Sequence, residues 1–165
     1  MKTSALLTLI LAAMLVIAAA SKEPAAARGR EIAVTFDDLP GVSVAGAANG
    51  SPVEAIRRMT EKLVRVLTSA RVPAVAFVNE GKLGPAGAPE PDRVALLRIW
   101  TAAGIELGNH TFGHLDRHHV SLEEFEADVV RGEPVTRSLL ASGGGRLRWF
   151  RHPYLHTGTR LEEKR

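Results

Sequence analysis

Short, β-branched apolar runs alternate with helix-spaced segments along this chain, and that alternation limits its fold more than any other feature. Ile32-Ala33-Val34-Thr35-Phe36, Ala74-Val75-Ala76-Phe77-Val78, Ile105-Glu106-Leu107 and Leu147-Arg148-Trp149-Phe150 read as strands, the first over roughly Glu31–Phe36. Between the first two, Val53, Ile56, Leu63, Leu67 and Ala70 recur at helical spacing. Ser51 can cap that helix, Pro52 suits its first position, and Glu54 can close a capping box. Another helix begins at Asp92, runs through Val94, Leu97 and Trp100, and stops at Gly104. A third opens on the capping box Ser121-Leu122-Glu123-Glu124, and Pro134 should kink or divide it before Gly143-Gly144-Gly145. The order βαβαβαβ predicts an α/β protein with a parallel sheet and right-handed crossovers. No internal repeat is present, and 165 residues suffice for one domain with a core.

The first twenty residues stand apart from that core. Lys2 precedes an almost unbroken apolar run from Ala5 to Ala20, and Ala18-Ala19-Ala20 before Ser21 has the small-residue pattern of a cleavage site. Residues 1–20 are therefore expected to be a signal peptide, 21–30 a flexible Ala/Pro spacer, and 31–165 the folded domain. The run falls short of the ~20 residues a spanning helix needs, which favours cleavage over an uncleaved N-terminal anchor. A periplasmic or secreted location follows, with no stable membrane insertion after cleavage. With no cysteine, disulfides, acyl anchors and thiolate metal ligands are excluded, so any metal must be held by His, Asp or Glu. The arginines are scattered and aromatics make up 5% of the chain, so no nucleic-acid partner is expected.

Polar chemistry gathers at the ends of the expected strands. Asp37-Asp38 closes the first. Two adjacent carboxylates in a half-buried site repel, and a metal ion is the leading candidate to compensate them. His110-Thr111-Phe112-Gly113-His114 follows the third strand; histidines at i and i+4 on a helical turn can share one ion. Thr111 stands where a zinc protease of the helical type needs Glu, so that reading fails. Arg151-His152-Pro153-Tyr154 follows the fourth strand. Arg151 can neutralise one aspartate, and Pro153 can fix the backbone so that the next amide points into a site. In a parallel sheet the carboxyl ends all face one side, which is where such folds keep their chemistry.

Taken together, Thr35-Phe36-Asp37-Asp38, His110-Thr111-Phe112-Gly113-His114 and Arg151-His152-Pro153-Tyr154 resemble the motifs of the polysaccharide deacetylases, the carbohydrate esterase family four group, over roughly Ile32 to Thr157. The resemblance implies a distorted, TIM-like parallel β/α barrel, here partial and lacking its last strands. It implies that Asp38, His110 and His114 ligate a divalent metal, zinc first, with cobalt, nickel or manganese as alternatives. It also implies that Asp37 is the general base for attack of water on the acetyl carbonyl. Arg151 would hold Asp37, and Pro153 and Tyr154 would bind substrate, with the Tyr154 amide on the oxyanion. The substrate implied is an N-acetylated (or O-acetylated) extracellular or cell-wall polysaccharide or oligosaccharide. The family's usual acid is a histidine in a late Leu-X-Leu-His-type motif, which does not occur here. The sequence is accordingly expected to be C-terminally truncated, with His152 or His156 as weak substitutes for the acid. The alternatives are a hydrolase of another small amide on the same fold, or an inactive fragment. His118 and His119 are expected to be solvated loop residues, Phe112 and Trp100 packing residues, and Trp149 either packing or the lining of a sugar subsite. Asn109 is read either as orienting His110 or as surface polarity.

Overall fold

The computed structural model describes residues 32–41 and 52–162, and the elements below belong to the unit Ala33–Arg165. The expected signal peptide, the spacer and the Ser51 cap lie outside the described residues. Strands β1 (Val34–Leu39), β2 (Ala74–Val78) and β3 (Glu106–Asn109) form a parallel sheet in that order. Helices α1 (Pro52–Ser69), α2 (Pro91–Ala102), α3 (Leu122–Arg131) and α4 (Pro134–Ser142) fill the connections, with short 3-10 turns at Glu80–Leu83 and Pro153–Leu155. Helix α1 turns Ile56, Thr60, Val64 and Leu67 inward. Ala70, one residue past its end, is exposed rather than part of the core. Pro134 divides the third helical stretch, as its missing N–H requires, into α3 and α4.

The core lies between the sheet and helices α1, α2 and α4. Ala76, Val78, Leu97, Trp100 and Leu107 are at its centre, with Phe36 tilted on the Trp100 ring at 5.4 Å. Two expectations need correction. The first strand does not stop before the aspartates; β1 runs through them to Leu39. The fourth strand is reduced to one parallel bridge between Asn109 and Phe150, in which Asn109 N–H donates to the Trp149 carbonyl (2.8 Å) and Arg151 N–H to that of Asn109 (3.0 Å). The segment meets the short β3 only at its last residue. Nearer the start of β3, Glu106 is engaged by the side chains of Arg148 and Trp149 instead of by backbone.

Candidate active site

The Asp37-Asp38 pair is set by a break in strand register. Phe36 pairs with Ala76 and Leu39 with Val78, so three steps along β1 match two along β2. The extra residue is a β-bulge, and Asp38 takes a left-handed backbone with φ +67°. In a regular strand neighbouring side chains point to opposite faces. Here both aspartates reach the same end of the sheet. Asp37 Oδ2 lies 3.5 Å from an Arg151 guanidinium nitrogen, and Asp38 Oδ1 lies 3.5 Å from His114 Nε2.

The two histidines meet through a stitched loop and not the expected helical turn. Thr111 and His114 both have positive φ (66° and 58°), which an α-helix forbids. Asn109 Oδ1 accepts from Thr111 N–H at 2.6 Å, and Thr111 Oγ1 from His114 N–H at 3.0 Å. Asp128, on α3, accepts from Gly113 N–H through its carboxylate (2.9 Å) and from Phe112 N–H through its carbonyl (3.0 Å). Asn79 Nδ2, just past β2, donates to the His110 carbonyl. Gly132 is required beneath the loop, since a Cβ there would stand 2.5 Å from the Thr111 carbonyl carbon. The imidazole rings of His110 and His114 end 4.9 Å apart, edge to face.

The Arg151-His152-Pro153-Tyr154 turn closes the site from the third side. The Arg151 carbonyl lies 2.8 Å from His110 Nδ1. A carbonyl can only accept, so Nδ1 carries the proton and Nε2 keeps its lone pair for a ligand. The Arg151 guanidinium packs over the Phe77 ring at 4.8 Å. Pro153 is buried, while Tyr154 has φ +56° and sets its ring edge-on to His114 at 4.7 Å. Among the described non-glycine residues with positive φ, Asp38, Thr111, His114, Tyr154 and Leu155 lie in these three segments and Arg71 alone lies elsewhere. Such conformations cost on the order of 1–3 kcal/mol each, and persist where the surroundings over-determine them.

The donor atoms of Asp38, His110 and His114 lie within 4.8 Å of one another, so one ion can reach all three. One carboxylate and two imidazoles suit zinc or a neighbouring first-row ion. Burial disfavours the His110 imidazolium and, with the nearby His114, holds its pKa below the usual value against the opposing pull of the Arg151 carbonyl, Asp37 and Asp38. Burial works to raise the Asp38 pKa, but Lys82, His114 and His110 outweigh it and the net is lowered. The Lys82 ammonium stands 2.8 Å from Asp38 Oδ1, so a cation already occupies the place where a metal ion would meet that carboxylate.

Sequence reasoning missed Lys82, Asn79 and Asp128. None lies in a strand-end motif, and only Asn79, directly after β2, had a position that could have drawn attention. Asn109 is 1% exposed and tied to Thr111 and to the Val129 carbonyl, so it holds the loop and is not surface polarity. Trp100 packs on Phe36, and Phe112 lies under the Arg131 guanidinium at 4.4 Å. Trp149 gives its indole N–H to Glu106 at the opposite end of β3 from His110, which removes it from the site. His119 is exposed, but His118 is partly buried and stacked on His156, contrary to expectation.

A family model described as polysaccharide deacetylase matches residues 25–164. A chitooligosaccharide deacetylase of Sinorhizobium fredii is 31% identical over 121 residues, covering 73% of this chain and 45% of that protein. The fold is shared with a family 4 carbohydrate esterase from Streptomyces lividans, solved in complex with acetate (22% identity, TM-score 0.51, 81% of this chain and 54% of that one). It is also shared with a peptidoglycan deacetylase from Bacillus subtilis (21% identity, TM-score 0.51, 80% and 52%). The chain thus spans about half the length of these relatives.

Proposed function

Since this chain belongs to the polysaccharide deacetylase family, we propose that it is a metal-dependent hydrolase that removes N-acetyl or O-acetyl groups from a saccharide polymer outside the cytoplasm. The observation that carries this reading is the meeting of Asp38, His110 and His114 with the Asp37–Arg151 pair at the carboxyl end of one parallel sheet. The apolar N-terminal run supports the location.

Asp38, His110 Nε2 and His114 hold the ion in this reading. When bound, a divalent ion supplies Lewis acidity and lowers the pKa of water at the site from ~15.7 toward ~7. Asp37 takes the proton as water attacks the acetyl carbonyl. Arg151 stands at 3.5 Å and keeps the Asp37 carboxylate turned toward the site. The Tyr154 amide, fixed by the buried Pro153 before it, is the backbone donor for the developing oxyanion.

The leaving amine also needs a proton. His152 is stacked on Phe125 (centroids 5.2 Å apart, planes 5° apart), and burial lowers its pKa, so it is a packing histidine. The Tyr154 ring lies between His114 and His156, at 4.7 Å from one and 5.7 Å from the other. That arrangement favours a second reading, a domain that binds an ion without turning over saccharide. Acetate release from N-acetylated chitooligosaccharides by the zinc-loaded chain, abolished by chelation and by Asp38→Ala, decides between them. A zinc-loaded chain that releases no acetate contradicts the hydrolase and leaves the binder.

A further inference from the structure

A second group of metal-type donors lies beyond the first. Asp116 and His118, on the loop after β3, meet His156, on the loop after the Arg-His-Pro-Tyr turn, and one donor atom from each lies within 4.8 Å of the others. His156 Nδ1 is 2.7 Å from Asp116 Oδ1, across 40 residues of sequence. The same carboxylate accepts from the His118 backbone N–H at 2.9 Å, which fixes its direction, and its other oxygen is 3.5 Å from His119 Nε2. Of the chain's six histidines, His110 and His114 serve the first group, and His118, His119 and His156 converge on Asp116.

We propose that Asp116, His118 and His156 form a second divalent-metal site, of a class that takes zinc, nickel or copper, with His119 as a fourth donor. His118 Nε2 lies 3.1 Å from the Gly158 carbonyl. That contact puts the proton on Nε2 and leaves the Nδ1 lone pair for a ligand, the mirror of His110, whose Nδ1 carries the proton and whose Nε2 keeps the lone pair. Donors around one tetrahedral zinc stand about 3.3 Å apart, so the Asp116–His156 contact opens by a fraction of an ångström to admit an ion, and the proton that His156 Nδ1 gives to Asp116 moves to Nε2 as the ion takes its place. The rings of His118 and His156 are stacked at 3.8 Å with planes 6° apart, and they must tilt toward each other for both lone pairs to meet one ion. His119 is 79% exposed in its side chain and free to swing in. An ion there ties the 116–119 loop to the 156–158 loop. It thereby steadies the left-handed backbone of Tyr154 and Leu155, directly before His156.

The test is the zinc content of the tag-free full chain after equilibration with excess zinc and removal of free metal. The wild type is expected to hold two zinc per chain. Asp38→Ala and the double variant His118→Ala/His156→Ala are each expected to hold one, the double variant losing its second affinity by at least about 100-fold. A wild type holding one zinc that Asp38→Ala abolishes overturns the proposal. Cobalt gives a second readout that does not depend on the double variant folding. The Asp38→Ala chain is expected to keep a visible imidazole–cobalt absorption band, and a colourless cobalt-saturated Asp38→Ala chain overturns the proposal as well.

Discussion

Asp128 offers the most direct probe of how the histidine loop is held. It is 1% exposed, and its two oxygens serve different groups: Oδ2 accepts from Gly113 N–H at 2.9 Å and Oδ1 from the Arg131 guanidinium at 2.6 Å. Asp128→Ala leaves the Gly113 N–H without its charged acceptor, a loss of about 1.5–3 kcal/mol. Arg131 is half exposed and returns to water, so its ion pair adds only about 0–1 kcal/mol. The expected destabilisation is about 1.5–4 kcal/mol, or about 3–16 °C in melting temperature for a chain of this size. The Asp128 carbonyl still holds Phe112 N–H, but the side-chain tie to Gly113, between Thr111 and His114, is lost, so zinc affinity at Asp38, His110 and His114 should fall about 10–100-fold. Asp128→Asn keeps an acceptor for Gly113 and should lose less on both counts. Urea unfolding with and without zinc, together with titration against a competing chelator, measures both quantities. An Asp128→Ala chain within about 0.5 kcal/mol of the wild type, with unchanged zinc affinity, would show that Asp128 does not hold the loop.

Two further perturbations follow from the electrostatics of the same site. Lys82 competes with any ion for Asp38 Oδ1, so Lys82→Ala should raise zinc affinity, by roughly tenfold or about 1.4 kcal/mol after allowing for its partial exposure; chelator competition that finds weaker binding would contradict this. His110 and His152 both have pKa values lowered by burial, so below pH ~6.5 the unfolded chain takes up protons that the folded chain refuses. Stability in chelator should therefore fall as pH drops below about 6.5 and on through the folded values. Urea midpoints at near-neutral and mildly acidic pH check the slope, and His152→Phe should flatten part of it.

The frame of the protein is legible in its apolar pattern, because a run such as Ala74–Val78 has only one comfortable place, inside a parallel sheet. Residues 74–78 form β2 as expected, and Pro134 divides its helix as the missing N–H dictates. What the pattern hides is the backbone between elements. The spacing of His110 and His114 fits a helical turn, yet Asn109, Thr111 and Asp128 supply side-chain partners that outcompete it. Asp37-Asp38 marks the end of an apolar run, but the strand continues through a bulge that no residue type announces. The fourth strand fails for a tertiary reason, since Leu147–Phe150 has β character but meets the backbone of β3 only at its last residue. Lys82 and Asp128 are ordinary charged residues in sequence, and they gain meaning only from what lies 44 and 15 positions away.

In the proposed hydrolase the two adjacent aspartates do different work, Asp38 on the ion and Asp37 on the water. Acetate release from N-acetylated chitooligosaccharide, expressed per zinc bound at the first site, tests this in Asp37→Asn and Asp38→Asn chains beside the wild type. Asp37→Asn is expected to keep its zinc and lose turnover, while Asp38→Asn loses both. Equal zinc loss in the two variants, or full turnover by zinc-loaded Asp37→Asn, would contradict it.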